Sequence, residues 1–474
     1  MSTTGDSDTI AQTDAEKPAP TSTNRRQPYG QGFLDTISEG WAERPEAAPS
    51  ARPQAAFTAA RRDAVSAAFP GRRLIVPAGE LKQRSNDTDY PFRAHSAFSH
   101  LTGWASDAEP GSVLVFEPSA SGGHDVTLYF RERAGRTTAE FYSDASIGEF
   151  WIGPRPALSG VAADLGIATS HIDDLELRAD DVVVDEDEDL TRFVSELRLV
   201  KDEYEVAQMR LAVDVTARGF DDIVANLPAI VAHPRGERLV EGVFHQRARS
   251  DGNAVGYDTI AASGPHACYL HWTRNDGAVV PGDLILIDAG AEVDSLYTAD
   301  ITRTLPVSGR FTEVQRKVYE AVREAADAAF AAAQPGVKFR EVHEAAMRVI
   351  AARVAGWGLL PVTADEALDA DSGGHHRRYM VHGTSHHLGI DVHDCAQARR
   401  DMYYDGLLEA GMVFTIEPGL YFQIDDLTVP EQYRGIGVRI EDDILMTAEG
   451  PVNLSASIPR TADEVEAWIA RLTA

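Results

Sequence analysis

Two stretches of the chain repeat one pattern, and this repeat limits the folds that the chain can adopt. Residues 282–290 (GDLILIDAG) and 411–419 (GMVFTIEPG) each have a glycine, an apolar run, an acid six residues after that glycine and a further glycine two beyond the acid. A second predicted strand with an acid follows each stretch, carrying Asp300 in the first case and Glu441 in the second. The repeat predicts a duplicated half-domain with two carboxylates in each half.

The repeated acids predict a cation site. Asp288 and Glu417 end apolar runs, where a carboxylate is costly to bury without a partner. One such acid is typical of an exposed strand end, but two matched copies favour a shared site. Strand alternation puts Arg439 and Glu441 on one face of their predicted strand. Four carboxylates facing one another would repel strongly unless cations neutralise them. Carboxylates with an imidazole suit Mn²⁺, Fe²⁺, Co²⁺ or Zn²⁺, and two bridging carboxylates would place two ions about 3.5 Å apart.

Imidazoles are concentrated between residues 375 and 393, with His271 upstream. His382 and His386 have the i, i+4 spacing of helical zinc sites. No glutamate follows His382, however, and glycines flank the stretch, which argues against a zinc-protease helix. The sequence also lacks the serine-hydrolase, phosphate-loop and dinucleotide-binding motifs.

Charge and cysteine content narrow the class of protein. The 474 residues include 44 Lys and Arg against 74 Asp and Glu, which gives a formal net charge of −30. An acidic chain repels phosphates and anionic lipid headgroups, so neither nucleic acid nor a membrane is an expected partner. The two cysteines, Cys268 and Cys395, cannot build a disulfide scaffold and fit a reducing compartment, which predicts a cytoplasmic protein.

The chain is predicted to have three parts. Residues 1–40 are polar with few large apolar groups, which predicts a disordered tail. Residues 41–195 form a predicted α/β domain, and residues 196–474 form a predicted α+β domain. The predicted helices of the larger domain begin near residues 202, 312 and 340. The predicted strands are 72–77, 112–116, 126–130, 182–184, 284–288, 300–305, 413–417 and 437–447.

The residues that carry these patterns resemble those of the proline-specific metallopeptidases of the pita-bread fold, and of aminopeptidase P in particular. The likeness covers roughly residue 195 to the end, and residues 92–103 more loosely resemble the signature of a creatinase-type N-terminal domain. The implied architecture is an α+β pita-bread catalytic domain that follows a smaller α/β creatinase-type domain. The matching stretches are 287–290 (IDAG), 300–304 (DITRT), 382–394 (HGTSHHLGIDVHD), 415–421 (TIEPGLY) and 437–443 (GVRIEDD).

The resemblance implies a dinuclear metal centre with five ligands. Asp288 would hold one ion, Asp300 and Glu441 would bridge both, and His386 and Glu417 would complete the second. Two divalent ions are therefore expected, with Mn²⁺ as the expected metal. The implied reaction is hydrolysis of the N-terminal Xaa-Pro bond of peptides that have proline at the second position, by attack of a metal-bridging hydroxide.

The resemblance also implies roles for residues around the ions. Glu417 would be the proton shuttle, and Arg439 would orient the carboxylate of Glu441. Because the N-terminal domains of such proteins often assemble with one another, a homo-oligomer is expected, either a dimer or a tetramer. The residues implied to contact the substrate or the reacting groups are His271, His382, His393 and Tyr421.

Two other functions share parts of this pattern. Prolidase, which cleaves only dipeptides, shares most of the motifs, but residues 395–400 (CAQARR) lack the Gly-Gly-Tyr-Pro run associated with it. A non-catalytic pita-bread protein that binds peptides or partners would have lost metal ligands, and all five are present here.

One departure from aminopeptidase P is the spacing of Asp288 and Asp300, which are twelve residues apart, one more than expected. The additional residue falls in a predicted hairpin loop at 293–298, where an insertion costs little.

Overall fold

The structure is a computed structural model that describes residues 29–44 and 49–474. Every helix in these residues is too short or too polar to serve as a membrane span. Of the predicted tail, residues 1–28 lie outside the described residues. Gln31–Thr36 form a short helix, which the polar composition of the tail did not predict.

The regular elements of the described chain are numbered in chain order. The strands are β1 Leu74–Pro77, β2 Gln83–Ser85, β3 Thr88–Asp89, β4 Val113–Pro118, β5 His124–Phe130, β6 Ala168–His171, β7 Val182–Val183, β8 Ala254–Val255, β9 Ile260–Ser263, β10 Leu284–Ala289, β11 Ala291–Glu292, β12 Ile301–Pro306, β13 Val413–Ile416, β14 Gly419–Tyr421, β15 Gly437–Arg439, β16 Asp442–Thr447 and β17 Gly450–Asn453. The helices are α1 Gln31–Thr36, α2 Ala55–Ala68, α3 Ser96–Thr102, α4 Ala139–Ser143, α5 Glu149–Ile152, α6 Leu158–Leu165, α7 Glu188–Glu196, α8 Glu203–Ala225, α9 Leu227–Ala232, α10 Gly236–Asp251, α11 Glu313–Ala332, α12 Phe339–Gly356, α13 Ala364–Leu368 and α14 Ala462–Leu472.

The described chain divides into two compact units, of which the first is small. It comprises residues 29–44, 81–91 and 132–156, and contains the β2–β3 pair with helices α1, α4 and α5. It contains a cation–π contact, in which the Arg136 guanidinium lies 4.2 Å from the ring centroid of Trp41 and 4.4 Å from that of Phe141.

The second unit begins with a five-stranded mixed sheet. The strand order is β6-β5-β4-β1-β7, with β1–β4 and β4–β5 antiparallel and β5–β6 and β1–β7 parallel. Alternate side chains of the central strands, including Leu74, Val76, Leu114 and Phe116, are fully buried in one hydrophobic cluster. The four strands predicted between residues 72 and 184 are confirmed.

The rest of the second unit repeats a motif of antiparallel strands with a helical pair. One sheet has the order β12-β10-β9 and another has the order β13-β16-β17. Helix α8 packs against α10, and α11 packs against α12. Asp202 and Thr312 cap α8 and α11 through capping boxes, so the predicted helix starts are confirmed.

The repeated acids occupy equivalent strand ends in the two sheets. Asp288 lies near the end of β10, and Asp300 directly precedes β12, the strand paired with β10. Glu417 directly follows β13, and Glu441 directly precedes β16, the strand paired with β13. The predicted duplication is therefore present in three dimensions, and each half supplies two carboxylates from neighbouring strand ends.

The predicted strand 437–447 is wrong in one respect, because it is broken between β15 and β16. The break includes Glu441, whose backbone N–H donates to the carbonyl of Thr302 in the first half at 3.1 Å. The fully buried Arg303 donates from Nη1 to the Glu441 carbonyl at 2.6 Å and from Nη2 to Asp442 Oδ1 at 2.7 Å. The backbone at the break therefore pairs with the other half instead of continuing a single ladder.

Three of the four glycines of the repeat are required by backbone geometry. Gly282 and Gly411 precede their strands with φ of +100° and +95°, a region that other residues rarely adopt. Gly290 has a different reason, since a Cβ at this position would lie 1.6 Å from the carbonyl oxygen of Ala299. The repeat thus preserves two turns, and in the first half a close backbone approach beside the acids.

A methyl group at Gly290 should therefore destabilise the protein strongly. We expect Gly290→Ala to lower the free energy of unfolding by about 3 kcal/mol or more, because the clash is with backbone rather than with a mobile side chain. The matched control is Gly242→Ala in the exposed face of α10, where nothing lies within 4 Å of the added Cβ. That control should be stabilised by roughly 0.5–1 kcal/mol. Thermal unfolding followed by circular dichroism measures both, and equal midpoints for the two variants would contradict this account.

Candidate metal centre

The predicted site residues surround one cavity of about 590 Å³ in the second unit. Nine of the ten predicted site residues line it, and the tenth, Tyr421, contacts two of those nine. The lining also includes apolar side chains such as Ile260, Leu270 and Val392. The nine are Asp288, Asp300, Glu417, Glu441, His271, His382, His386, His393 and Arg439.

The acids and His386 lie close enough to share a cation. One ligand atom each of Asp300, His386 and Glu441 lie within 4.8 Å of one another. His386 Nε2 is 3.3 Å from Asp300 Oδ2 and 3.5 Å from Glu417 Oε1. The other ring nitrogen, Nδ1, is 3.2 Å from the carbonyl oxygen of His387, so a proton on Nδ1 leaves the Nε2 lone pair facing the carboxylates.

The electrostatics of this group show an excess of negative charge. Burial and the neighbouring carboxylates raise the pKa of Glu441 well above its usual value, and burial raises that of Glu417 to about 7. Burial opposes the charge of His386, but Asp300 and Glu417 outweigh it and raise its pKa to about 9. Oxygen donors with one imidazole are a donor set that binds divalent cations, and the charge of such ions would remove the repulsion. The residues therefore fit a metal centre.

Arg439 is the nearest positive side chain to the acids. Its Nη2 donates to Asp288 Oδ2 at 2.5 Å, and its Nε donates to Thr302 Oγ1 at 3.0 Å. The Thr302 hydroxyl in turn donates to Glu441 Oε2 at 2.6 Å. Arg439 therefore pairs directly with Asp288 and reaches Glu441, the acid it was expected to orient, through Thr302.

Tyr257 is a residue of this site that sequence reasoning missed. Its hydroxyl lies 2.6 Å from Asp288 Oδ1 and 2.5 Å from Asp300 Oδ1, and burial with these carboxylates raises its pKa well above the usual value. The hydroxyl therefore keeps its single proton, which it can donate to either of the two acids. Tyr257 precedes the short strand β9 and belongs to no repeated motif, so no sequence signal marks it and only the packing of β9 against β10 brings it here.

A chain of hydrogen bonds orients His382. Arg439 Nη1 donates to the Tyr421 hydroxyl at 3.2 Å, and that hydroxyl lies 2.8 Å from His382 Nε2. His382 Nδ1 is 2.6 Å from the carbonyl oxygen of Gly383, which can only accept, so Nδ1 carries the proton and Nε2 accepts from Tyr421. Burial and the charge of Arg439 lower the pKa of His382 to about 3, which keeps the ring neutral.

His393 and His271 complete the wall of the cavity. The ring of His393 packs against that of His386, with centroids 4.2 Å apart. Burial and the positive charge of His386 lower the pKa of His393 to about 4. The cavity therefore presents two neutral imidazoles, those of His382 and His393, beside a cluster of acids.

Comparison with known proteins agrees with this geometry. Residues 207–448 match the model of metallopeptidase family M24, and residues 58–190 match that of the aminopeptidase P N-terminal domain. A Streptomyces coelicolor protein named Xaa-Pro aminopeptidase 1 is 50% identical over 464 residues, covering 93% of this chain and 92% of the relative. The Escherichia coli Xaa-Pro aminopeptidase is 34% identical, covering 87% of this chain and 96% of the relative.

Solved structures give the same result at the level of the fold. The Pseudomonas aeruginosa aminopeptidase PepP superposes with a TM-score of 0.75 at 32% identity, covering 90% of this chain and 99% of that one. A low-pH form of aminopeptidase P from E. coli also gives 0.75, at 31% identity, with 89% and 99% covered. The resemblance to aminopeptidase P and the predicted pita-bread fold are confirmed. With its paired carboxylates at equivalent strand ends, the chain belongs to metallopeptidase family M24 and is a metallo-hydrolase of the aminopeptidase P type.

Proposed function

We propose that the protein removes the first residue of peptides whose second residue is proline. The observation that carries this proposal is the convergence of five donor side chains on one cavity that the neutral rings of His382 and His393 also line. The relatives named Xaa-Pro aminopeptidase support this choice of bond over other peptide bonds.

We propose two divalent ions in the cavity. Asp288 would hold one, Asp300 and Glu441 would bridge both, and His386 with Glu417 would complete the second. The short distances among the ligand atoms of Asp300, His386 and Glu441 support a shared position. Four carboxylates with one imidazole favour a hard cation that also accepts nitrogen, and we propose Mn²⁺. When bound, such ions lower the pKa of water and polarise a carbonyl oxygen.

The side chains around this centre have proposed roles in moving protons and holding the peptide. Glu417 would pass a proton to the departing amine, and its Oε2 lies 3.5 Å from His382 Nδ1. His271, His382 and His393 would contact the peptide from the wall of the cavity. Tyr421 would keep His382 in one orientation, and Arg439 would fix the position of Asp288.

We also propose a cytoplasmic homo-oligomer, either a dimer or a tetramer. The thiols of Cys268 and Cys395 are both free and buried, which fits a reducing compartment. The small first unit exposes large apolar side chains, since Phe33, Trp41 and Phe150 are 36%, 43% and 60% exposed. Clustered exposed aromatic side chains are typical of an interface, and a second copy of the chain would cover them.

The proposed reaction predicts a defined substrate preference. With added Mn²⁺, the purified protein should release the first residue from an Xaa-Pro-Yaa tripeptide and leave an Xaa-Ala-Yaa control uncut. A chelator should abolish the release, because the acids alone cannot activate water or the carbonyl at neutral pH. Chromatographic separation of the products measures the cleavage in each of these reactions.

An Xaa-Pro dipeptide in the same assay separates the two candidate peptidases. Cleavage of the tripeptide with little cleavage of the dipeptide is the expected result. Cleavage of the dipeptide alone would make the protein a prolidase, and cleavage of Xaa-Ala-Yaa at the same rate would overturn the proline requirement.

Glu441→Gln tests the bridging role. The amide has no negative charge, so the number of bound ions should fall from two per chain to one or fewer, measured by elemental analysis after dialysis. The metal-free variant should melt no lower than the metal-free parent, because Asp300 and Glu417 repel the charge that the substitution removes.

The control for this experiment is Glu313→Gln, at the exposed first turn of α11. It should bind as much metal as the parent. Full metal content in Glu441→Gln would show that this carboxylate does not bridge the ions.

The oligomer proposal is tested by sedimentation of the purified chain. We expect a mass of two or four chains. Replacement of Phe33 and Trp41 by serine should shift the protein toward the monomer, since both side chains are exposed in the single chain. A parent protein that sediments as a monomer would contradict the proposal.

A further inference from the structure

The signature of the N-terminal domain contains an arginine that contacts the catalytic part of the chain. Residues 92–103 carry the signature of that domain, and Arg93 is its second residue. Its guanidinium points away from the five-stranded sheet and toward the catalytic part of the same unit. Nη2 donates to the carbonyl of Ile390 at 2.7 Å, and Nε donates to Glu292 Oε2 at 2.7 Å.

Arg93 and its neighbour Ser96 also hold Asp391. Arg93 Nη1 lies 3.3 Å from Asp391 Oδ1, and the Ser96 hydroxyl donates to the same oxygen at 2.6 Å. Asp391 is two residues before His393, which lines the cavity. Two residues of the N-terminal domain therefore bind the segment that carries His393, a histidine that lines the cavity.

The segment Gly389–Asp394 contains no helix or strand. The contacts of Arg93 and Ser96 add to backbone hydrogen bonds at its two ends, from Thr298 N–H to the Gly389 carbonyl and from Asp394 N–H to the His387 carbonyl. Its far end is fixed from another direction, where Arg198 Nε donates to Asp394 Oδ1 at 2.9 Å. Arg93 fixes the near end. Its partner Glu292 is itself anchored, since it is almost fully buried and accepts from Asn253 Nδ2 at 2.8 Å. The segment that carries His393 is thus held by Arg93 and by Arg198, whose Nη2 also lies 3.8 Å from Asp391 Oδ2.

We propose that Arg93 is a positioning residue for the reaction, which holds the segment Gly389–Asp394 so that His393 meets the peptide in the productive orientation. The inference rests on the proposed function for its catalytic part. The planar guanidinium suits this task because it bonds a carbonyl and two carboxylates at once, whereas a lysine ammonium is a single point charge. A misplacement on the order of 1 Å in such a wall residue can cost about 100-fold in rate.

The test compares Arg93→Lys and Arg93→Ala with a matched control in the same domain. Arg73 also bonds two carboxylates, Glu117 at 2.6 Å and Asp181 at 2.7 Å, but all three lie in the five-stranded sheet region away from the cavity. We expect kcat to fall by about 10- to 100-fold in Arg93→Ala and less in Arg93→Lys, with both ions retained. Arg73→Lys should lower the melting temperature while leaving kcat unchanged.

A double variant separates positioning from general destabilisation. If Arg93 acts through His393, then Arg93→Ala should add little to the loss of kcat caused by His393→Ala. The proposal would be overturned if the fold-losses of kcat in the two single variants multiply in the double variant, or if kcat is unchanged in Arg93→Ala.

Hydrogen exchange provides a readout that does not need activity. Backbone amides of residues 389–394 should exchange faster in Arg93→Ala than in the parent or in Arg73→Lys, and equal exchange would overturn the proposed role of Arg93 in holding the segment. If the parent cleaves no Xaa-Pro bond, the proposed function fails and the catalytic part of this inference fails with it. The exchange rates still decide whether Arg93 holds the segment.

Discussion

Repulsion among four buried carboxylates is the constraint on which the rest of this structure depends. Asp288, Asp300, Glu417 and Glu441 meet in one cavity, and burial raises the pKa of the last two strongly. Within the described chain, Arg439 and His386 are the cationic groups that contact them directly. Two positive groups cannot balance four negative ones, so bound cations are needed to neutralise the remaining negative charge.

The same constraint explains where the polar side chains behind the site lie. Thr302 and Tyr257 donate hydroxyl protons to the acids and keep them in place without adding charge. Arg303 adds a charge, but it faces Asp442 and backbone carbonyls on the side away from the cavity. A buried guanidinium whose nitrogens all donate hydrogen bonds is well suited to hold two strands together, because leaving any of its N–H groups without an acceptor would be costly. Thr302 and Tyr257 therefore hold the acids without adding charge, and Arg303 fixes the backbone beside them while its own charge is paired with Asp442.

The sequence allowed the acids and much of the fold to be predicted, because these depend on local patterns. The repeat identified the strand-end acids, and strand alternation placed Arg439 beside Glu441 on the cavity side. The break before β16 was not predicted, since it depends on Thr302 and Arg303 from a strand more than a hundred residues earlier. The role of Tyr257 and the contacts of Arg93 with Ile390 and Asp391 were missed for the same reason. Each acts through a contact between distant segments, and one sequence holds no periodic signal for such contacts.

Chain order gives the duplicated acids a consequence for biosynthesis. Asp288 and Asp300 leave the ribosome more than a hundred residues before Glu417, and Arg439 follows later still. In the first half alone, Asp288 would lack the guanidinium that pairs with it in the finished protein. The site is therefore complete only when both halves are present, although each half has a sheet and a helical pair of its own.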